Sequence, residues 1–146
     1  MPEQPVNPPA TVLGFDFGTR KIGLATGQSL TGGASPLNAL PCPRQSPDWA
    51  AIEALIREWQ PDALVVGLPL NMDDSESELS QRARRFARRL EGRFGKPAWL
   101  VDERLSTREA RERLGDDYRG GADPRVDSMA AALIIETFFR QGGTRP

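Results

Sequence analysis

Residues Thr11-Val-Leu-Gly-Phe-Asp-Phe-Gly-Thr-Arg-Lys-Ile-Gly-Leu-Ala-Thr-Gly27 determine how the rest of the chain is interpreted. Two apolar, β-rich segments, 11–17 and 22–27, flank the polar segment 18–21, a pattern that predicts a β-hairpin. Asp16 lies between two phenylalanines in the first segment, and alternation along a strand places its side chain on the opposite face from both rings. An ionised carboxylate there is unfavourable unless it is paired or binds a metal ion. The structural alternative is an edge-strand aspartate that faces water or pairs with an arginine.

The rest of the chain predicts further strands and helices. A weaker third strand is expected at Ser35 to Leu40, and Ser46 and Pro47 are expected as the N-cap and first residue of a helix. Ala63-Leu-Val-Val-Gly67 is typical of a buried central strand. The later predicted elements are a helix between a polar loop at 71–77 and Phe94, a strand at 97–101, a short helix at 106–114, and a last helix capped by Asp123 and Pro124.

This order of elements predicts an α/β fold. The first three strands are joined by short turns and should be antiparallel, whereas the later strands are separated by helices and should be parallel. The result is a mixed five-stranded sheet with helices on both faces. We expect one domain at 11–141, a disordered leader at 1–10 and a flexible tail at 142–146.

The composition excludes several kinds of catalytic site. The chain has 146 residues, no histidine and one cysteine, so it cannot hold a Ser-His-Asp triad, a Cys-His dyad or a zinc cluster. Cys42 lies between two prolines and is interpreted as a loop thiol. An enzyme of this composition must use carboxylates, hydroxyls, Lys or Arg. No apolar stretch reaches about eighteen residues and no export signal is recognisable, so we expect a cytoplasmic protein that does not enter a membrane.

The basic residues allow two interpretations. The net charge of −1 does not indicate a nucleic-acid-binding protein, and of the 19 basic residues only Lys21 and Lys96 are lysine. Arginine suits bidentate contacts with phosphate, but a biased codon supply gives the same ratio. Arg82, Arg85 and Arg89 share one face of the predicted helix. They could form a track for a phosphate backbone, or simply a solvated helix face.

Two further carboxylates could join Asp16. Glu103 follows the strand at 97–101, at the carboxyl end where ligand sites of open α/β sheets gather, and its neighbour Asp102 should point the other way. Asp127 lies in the first turn of the last helix, where the helix dipole alone explains a carboxylate. For Glu103 and for Asp127, the structural alternative to a functional role is a carboxylate that simply faces water. Three acids that converge would raise one another's pKa, and their hard oxygen ligands would select Mg²⁺ or Mn²⁺.

Four segments resemble the signature blocks of the YqgF family, whose members are Holliday-junction-resolvase-like proteins regarded as nucleases for the precursor of small-subunit ribosomal RNA. The segments are Gly14–Ala25, Val66–Asn71, Val101–Thr107 and Val126–Ala131, in family order between about Thr11 and Phe139. The resemblance implies a ribonuclease-H-like fold. It also implies that Asp16, Glu103 and Asp127 form an acidic triad that holds Mg²⁺ or Mn²⁺.

The resemblance extends to residues around the triad. Arg125 stands where a basic residue commonly precedes the last acid, and Asn71 and Thr107 occupy polar positions typical of the family. The family's glycine after Pro-Leu-Asn-Met is replaced here by Asp73-Asp74, which alters that loop. The expected nucleic-acid-binding residues are Lys21, Arg82, Arg85, Arg89, Arg104 and Arg125, and the expected structural or positioning residues are Gly18, Thr19, Gly23, Asn71 and Thr107.

We therefore expect a two-metal nuclease that trims the 5′ end of the precursor of 16S ribosomal RNA. A Holliday junction resolvase that cuts branched DNA is one alternative, and a non-catalytic nucleic-acid-binding factor in ribosome assembly is another. Asp16-Phe-Gly-Thr19 also resembles the phosphate-binding hairpin of the actin and sugar-kinase superfamily, but those proteins use two such domains and this chain is too short for both. The sequence leaves a monomer and a homodimer open.

Overall fold

A five-stranded sheet forms the centre of the molecule. The computed structural model describes residues 10–18, 20–43, 46–104 and 124–146, with the backbone alone for 124–127. The described strands are β1 (Thr11–Phe17), β2 (Lys21–Gln28), β3 (Gly33–Pro41), β4 (Ala63–Leu68) and β5 (Ala98–Asp102). The described helices are α1 (Trp49–Trp59), α2 (Glu78–Phe94) and α3 (Pro124–Gln141).

The strand directions agree with the sequence prediction. The order across the sheet is β3-β2-β1-β4-β5. β1, β2 and β3 pair antiparallel, whereas β4 is parallel to both β1 and β5. The carboxyl ends of β1, β4 and β5 therefore lie at the same end of the sheet.

Alternation of side chains along the strands creates two hydrophobic cores, one on each face. Leu13, Phe15 and Phe17 of β1 belong to the core under α1 and α2, whereas Val12 belongs to the core under α3. The helical residues of the first core include Ile52, Ile56, Ala83, Phe86, Ala87 and Leu90. By the same alternation Asp16 points to the face covered by α3, as the sequence predicts. We refer to the two sides of the sheet as the α1/α2 face and the α3 face.

The first helix begins later than the sequence predicts. Ser46 and Pro47 are expected as its N-cap and first residue, but α1 begins at Trp49 and Asp48 is its N-cap. The Asp48 carboxylate accepts a hydrogen bond from the Ala51 N–H at 3.1 Å. This bond satisfies one of the free N–H groups of the first turn, so Asp48 takes the capping role from Ser46.

The second helix begins where it is predicted. Ser77 is its N-cap, and Ser77 and Ser80 form reciprocal side-chain-to-backbone hydrogen bonds. The Ser80 hydroxyl also donates to the Pro69 carbonyl, which ties the first turn of α2 to the end of β4. Gly95, with a φ of 68°, closes the helix in the left-handed conformation that glycine favours.

Helix α3 lies unusually close to the sheet because glycines face it. A Cβ atom at Gly14 would lie 2.5 Å from Ile135 Cγ1 and 3.0 Å from the Ala131 carbonyl oxygen. A Cβ atom at Gly27 would lie 2.5 Å from Ile135 Cγ2. These positions on β1 and β2 therefore form a shallow groove for Ile135, which sets the height of the helix above Asp16.

The C-terminal residues differ from the sequence prediction of a flexible tail at 142–146. Thr144 and Leu100 exchange two backbone hydrogen bonds, of 2.7 Å and 3.0 Å. The Arg145 guanidinium donates to the Ala98 carbonyl at 3.0 Å. The reason is the position of β5 at the edge of the sheet, where its free backbone groups need partners.

The predicted leader and one predicted helix fall largely outside the described residues. Residues 1–9 and 106–114 belong to the part of the chain that the structure does not describe. Ala10, the last residue of the predicted leader, is buried, and its N–H donates to Ser29 Oγ at 2.7 Å. Within the described ranges, no helix is long and apolar enough to cross a membrane.

We expect Gly14→Ala to lower the free energy of unfolding by about 1–3 kcal/mol, because the new methyl group would overlap Ile135. Adding Ile135→Ala should cost less than the sum of the two single substitutions, since the smaller side chain leaves room for the methyl group. Chemical denaturation of the four proteins of this double-mutant cycle measures the coupling. Effects that add to within about 0.5 kcal/mol would contradict the close approach of α3.

Candidate active site

Asp16 and Glu103 meet on the α3 face although β4 separates their strands. Asp16 lies near the end of β1 and Glu103 directly follows β5. The Glu103 side chain crosses over Gly67 of β4, where a Cβ atom would lie 2.5 Å from Glu103 Oε2. It forms a side-chain hydrogen bond with Asp16. Two of the three predicted acids are therefore brought into contact.

Gly67 is a site residue that the sequence reasoning missed. Any larger side chain at this position would occupy the space of the Glu103 carboxylate and also meet Ile134 Cδ1 at 2.5 Å. The sequence signal that could have identified it is a glycine at the end of an otherwise bulky buried segment, Ala63-Leu-Val-Val-Gly67. Such a glycine often marks the close approach of another group.

The surroundings of Glu103 raise its pKa well above the ordinary value of 4.5. Burial is the main cause, since the residue is only 9% exposed, and repulsion from Asp16 adds to it. Burial and the neighbouring Asp16 therefore favour the protonated form of Glu103 in the metal-free protein. Its Oε2 atom is buried and has no hydrogen-bond partner, so the carboxyl group is held in place at the expense of its own solvation.

These properties fit a divalent cation. Carboxylates in contact repel each other when both are ionised, and a bound cation removes that repulsion. Glu103 Oε2 has a free acceptor position in a buried environment. Hard carboxylate oxygens favour Mg²⁺ or Mn²⁺ over softer metals. Among the described side chains, Asp16 and Glu103 have no third acidic, histidine or cysteine neighbour that would complete a three-residue cluster.

Asp127, the third predicted acid, lies in the part of α3 for which the structure describes only the backbone. The next residue, Ser128, is buried, and its hydroxyl donates to the Leu37 carbonyl of β3. Leu37 of β3 pairs with Leu24 of β2. The residue before Leu24, Gly23, pairs with Asp16 of β1. This bond fixes the beginning of α3 over the same end of the sheet.

Asp102 points away from the site, as strand alternation predicts. It is exposed, and it accepts hydrogen bonds from the Arg104 guanidinium at 3.0 Å and 3.1 Å. Partial burial raises the pKa of Asp102, but the hydrogen bonds from Arg104 outweigh that effect and the pKa is lowered overall. The neighbouring carboxyl groups of Asp102 and Glu103 thus have pKa shifts of opposite direction.

Arg104 was predicted to bind nucleic acid, but in the structure it connects two loops. Besides Asp102, its guanidinium contacts the Asp74 carboxylate at 2.5 Å and the Asn71 carbonyl at 3.3 Å. Arg104 directly follows Glu103, and its contacts thereby connect the end of β5 to the loop between β4 and α2.

The loop from Asn71 to Ser75 explains the departure from the family pattern. Asp74 has a φ of 69°, which is the left-handed region that glycine adopts most easily. A glycine at this position would adopt the conformation without strain. In this chain an aspartate occupies the strained position, and its carboxylate pairs with Arg104. Asn71 supports the turn, since its carbonyl accepts the Asp74 N–H at 2.9 Å.

The β1–β2 hairpin lies at the same end of the sheet. A Cβ atom at Gly18 would be 2.6 Å from the Lys21 carbonyl oxygen, so the turn requires glycine there. Gly23 lies directly opposite Asp16 in the strand pairing. Lys21 is exposed and, together with Asn38 and Ser128, lines an open cavity of about 680 Å³ along β3. Of the other predicted residues, Thr19 and Thr107 and the side chain of Arg125 lie outside the described part of the chain.

Arg82, Arg85 and Arg89 come together, but away from the carboxylates. They line a small cavity with Phe17 and Phe86. Both phenylalanines belong to the core of the α1/α2 face, and Asp16 points to the α3 face. The arginines are therefore not part of the acidic site itself.

Comparisons with known proteins place the chain in a family. A family model described as "RuvX: Holliday junction resolvase" matches residues 10–141. A protein of Alcanivorax borkumensis named "Putative pre-16S rRNA nuclease" is 63% identical over 128 residues, which are 88% of this chain and 94% of that protein. A protein of the same name from Edwardsiella ictaluri is 58% identical over 133 residues, which are 90% of this chain and 95% of that protein.

The fold also matches a solved structure. T. thermophilus RuvC, in complex with a Holliday junction substrate, aligns with a TM-score of 0.57 and 16% identity over 91% of this chain and 98% of the RuvC chain. At this identity the match concerns the fold alone. It confirms the ribonuclease-H-like fold expected from the sequence.

Glu103→Gln should stabilise the metal-free protein, and more so at high pH. Because the folded-state pKa lies above the unfolded value of 4.5, the unfolded wild-type chain loses the Glu103 proton first, and stability falls as the pH rises past that value. Glutamine has no proton to lose and can still donate a hydrogen bond to Asp16. Thermal unfolding in EDTA should show a variant advantage that grows between about pH 5 and about pH 8.

Asp102→Asn is the matched control for this measurement. The pKa of Asp102 is lowered, so its carboxylate stabilises the folded protein throughout this pH range and its loss should lower the melting temperature. A Glu103→Gln protein that melts at or below the wild-type temperature at about pH 8 would contradict the burial of a protonated Glu103.

Asp74→Ala should be less stable than Asp74→Gly by about 1 kcal/mol, because both variants lose the ion pair with Arg104 but only glycine relieves the left-handed backbone. Urea unfolding of the two variants measures the difference. Equal stabilities would show that position 74 does not need this conformation.

Proposed function

This chain belongs to the RuvX family of Holliday junction resolvases, and we propose that it is a metal-dependent nuclease that processes the 5′ end of the precursor of 16S ribosomal RNA. The observation that carries the proposal is the contact between Asp16 and Glu103 on the α3 face. The names of its relatives from Alcanivorax borkumensis and Edwardsiella ictaluri support the choice of substrate. Its place of action would be the cytoplasm.

Asp16, Glu103 and Asp127 would hold Mg²⁺ or Mn²⁺. Support comes from the buried Glu103 Oε2 without a partner and from the mutual repulsion of the first two carboxylates. Bound metal ions supply an activated water and stabilisation of the leaving oxygen in phosphodiester hydrolysis. A mechanism of this kind needs no histidine, in agreement with the composition.

The protein's own residues would prepare the site for this chemistry. Gly67 gives the Glu103 carboxyl group its space beside Asp16, and burial keeps bulk water away from the carboxyl group. Lys21 and Arg125 are proposed to bind phosphate oxygens and to neutralise charge that develops there. Gly18, Thr19 and Gly23 would shape the hairpin that carries Lys21, and Asn71 and Thr107 would position the neighbouring loops.

Cleavage of branched DNA is the second candidate function, favoured by the description of the family model. A resolvase cuts two strands of a junction and therefore needs two active sites, which implies a homodimer. Cleavage of RNA requires no such assembly and is compatible with a monomer. Assays with matched single-stranded RNA and four-way DNA junctions, together with the mass in solution, separate these functions.

Asp16→Asn, Glu103→Gln and Asp127→Asn should each abolish cleavage of precursor RNA in the presence of Mg²⁺ while the fold is retained. The three substitutions remove a ligand charge with little change of volume. Combining any two should cause little further loss, because the carboxylates act as one unit. Asp102→Asn is the matched control, since its side chain points away from the site, and should retain most of the activity. Rates from gel-based cleavage assays measure these effects.

Metal binding provides a second readout for the same variants. Mg²⁺ should raise the melting temperature of the wild-type protein, because a ligand of the folded state stabilises it by mass action, and should leave that of Asp16→Asn unchanged. Wild-type cleavage rates in all three acidic variants would exclude the proposed mechanism. Lost cleavage with retained RNA binding would exclude a purely non-catalytic binding factor.

A further inference from the structure

The α1/α2 face carries a small cationic cavity that the proposed active site does not use. We call it the arginine pocket; its lining residues are Phe17, Pro47, Arg82, Arg85, Phe86 and Arg89. The Phe17 and Phe86 rings lie 4.9 Å apart and belong to the hydrophobic core. The three arginines come from successive turns of α2, so their positive charges converge over an aromatic base.

The arginines of the pocket form no ion pair with the acids that the structure describes. Among the described residues, Arg82, Arg85 and Arg89 take part in none of the ion pairs. Arg84, on another side of the same helix, binds the Glu76 carboxylate through two of its nitrogens, at 2.7–3.0 Å. The solvated-face interpretation is helped by a Glu78–Arg82 pair, which is not among the ion pairs of the described residues. The Arg82, Arg85 and Arg89 guanidinium groups therefore have donors available for the charge-assisted hydrogen bonds that an external anion would accept.

The size of the pocket suits a single phosphate group. Its volume of about 80 Å³ exceeds the roughly 30 Å³ that one water molecule occupies. It is well below the roughly 300–1,000 Å³ of typical small-molecule sites. Arginine also binds phosphate oxygens in a bidentate manner that lysine does not match. A pocket of this volume suits one phosphate group better than a whole nucleotide.

An aromatic side chain borders the pocket. The Trp49 ring lies 5.6 Å from the Phe86 ring, and the Arg89 and Arg93 guanidinium groups lie 5.8 Å and 4.3 Å from its centre. These contacts hold the Arg89 side chain in place and reduce the entropy that it would lose on binding an anion. The pocket is thus partly organised before a ligand arrives.

The position of the pocket relative to the carboxylates suggests its ligand. Phe17 forms part of its wall and is the chain neighbour of Asp16, but the two side chains point to opposite faces of the sheet. Only the end of the sheet, with the hairpin at 18–21, separates the two sites. We propose that the arginine pocket binds a backbone phosphate of the same nucleic-acid strand whose scissile bond lies at Asp16. The strand would pass around the hairpin and contact both faces of the sheet.

This inference rests on the proposed function, because it takes the substrate of that site as its ligand. The test is therefore a binding measurement without cleavage. Affinity of the full-length protein for a single-stranded RNA oligonucleotide is measured by fluorescence anisotropy in EDTA over a series of KCl concentrations. The variant is Arg82→Gln/Arg85→Gln/Arg89→Gln. The matched control, Arg57→Gln/Arg88→Gln/Arg140→Gln, removes the same charge from exposed positions outside the pocket.

We expect the pocket variant to bind RNA more weakly and to reduce the slope of log affinity against log salt by about 0.7, since the pocket binds one phosphate and each phosphate contact with a single strand contributes about 0.7. The control variant should keep the wild-type slope. Circular dichroism and melting temperature verify that both variants fold.

Two outcomes would overturn the inference. One is the same salt slope in the wild type and both variants. The other concerns inorganic phosphate. If phosphate raises the melting temperature of the wild type but not of the pocket variant, while both proteins have the same salt slope for RNA binding, the pocket is a site for free anions only. Pocket-dependent binding by a protein that cleaves no substrate would support the arginine pocket as a nucleic-acid site but overturn its link to a scissile bond at Asp16, together with the proposed nuclease function. Cleavage by a protein whose RNA binding does not depend on the arginine pocket would overturn this inference and leave the proposed nuclease function standing.

Discussion

The contact between Asp16 and Glu103 places two acidic groups against an apolar core, where at neutral pH they cannot both be ionised without a cation. Folding alone does not favour this arrangement, because the Glu103 carboxyl group loses water and its Oε2 gains no hydrogen bond. The energy to hold it must come from the packing around it. The architecture of the α3 face can be understood as the means by which that packing is achieved.

Glycine is what makes the packing possible. Gly67 leaves the space that the Glu103 side chain fills, and Gly14 and Gly27 let Ile135 of α3 approach the sheet. Each glycine removes a side chain that would hold the helix or the carboxyl group away from Asp16. Residues usually regarded as passive in a strand therefore determine the distance between the chemical groups.

The two faces of the sheet have different electrostatic character. The α3 face presents carboxylates, whereas the arginine pocket on the α1/α2 face presents cations, and only the change from Asp16 to Phe17 along one strand separates them. A polyanionic substrate meets repulsion at the first site in the absence of metal and attraction at the second. Charge on the far face could therefore retain the nucleic acid while the carboxylates bind metal.

Local patterns in the sequence were sufficient for the described strands and helices apart from the start of α1, for the antiparallel and parallel pairing, and for placing Asp16 on the face opposite Phe15 and Phe17, because helix and strand periodicities depend on near neighbours. The absence of histidine restricted the chemistry, and the resemblance to the YqgF family supplied the triad. The contact of Glu103 with Asp16 over Gly67, and the pairing of Arg104 with Asp74, were decided only by the tertiary structure. The reason is that these contacts depend on which distant strands become neighbours, and on how closely a helix packs against them, which no local periodicity encodes.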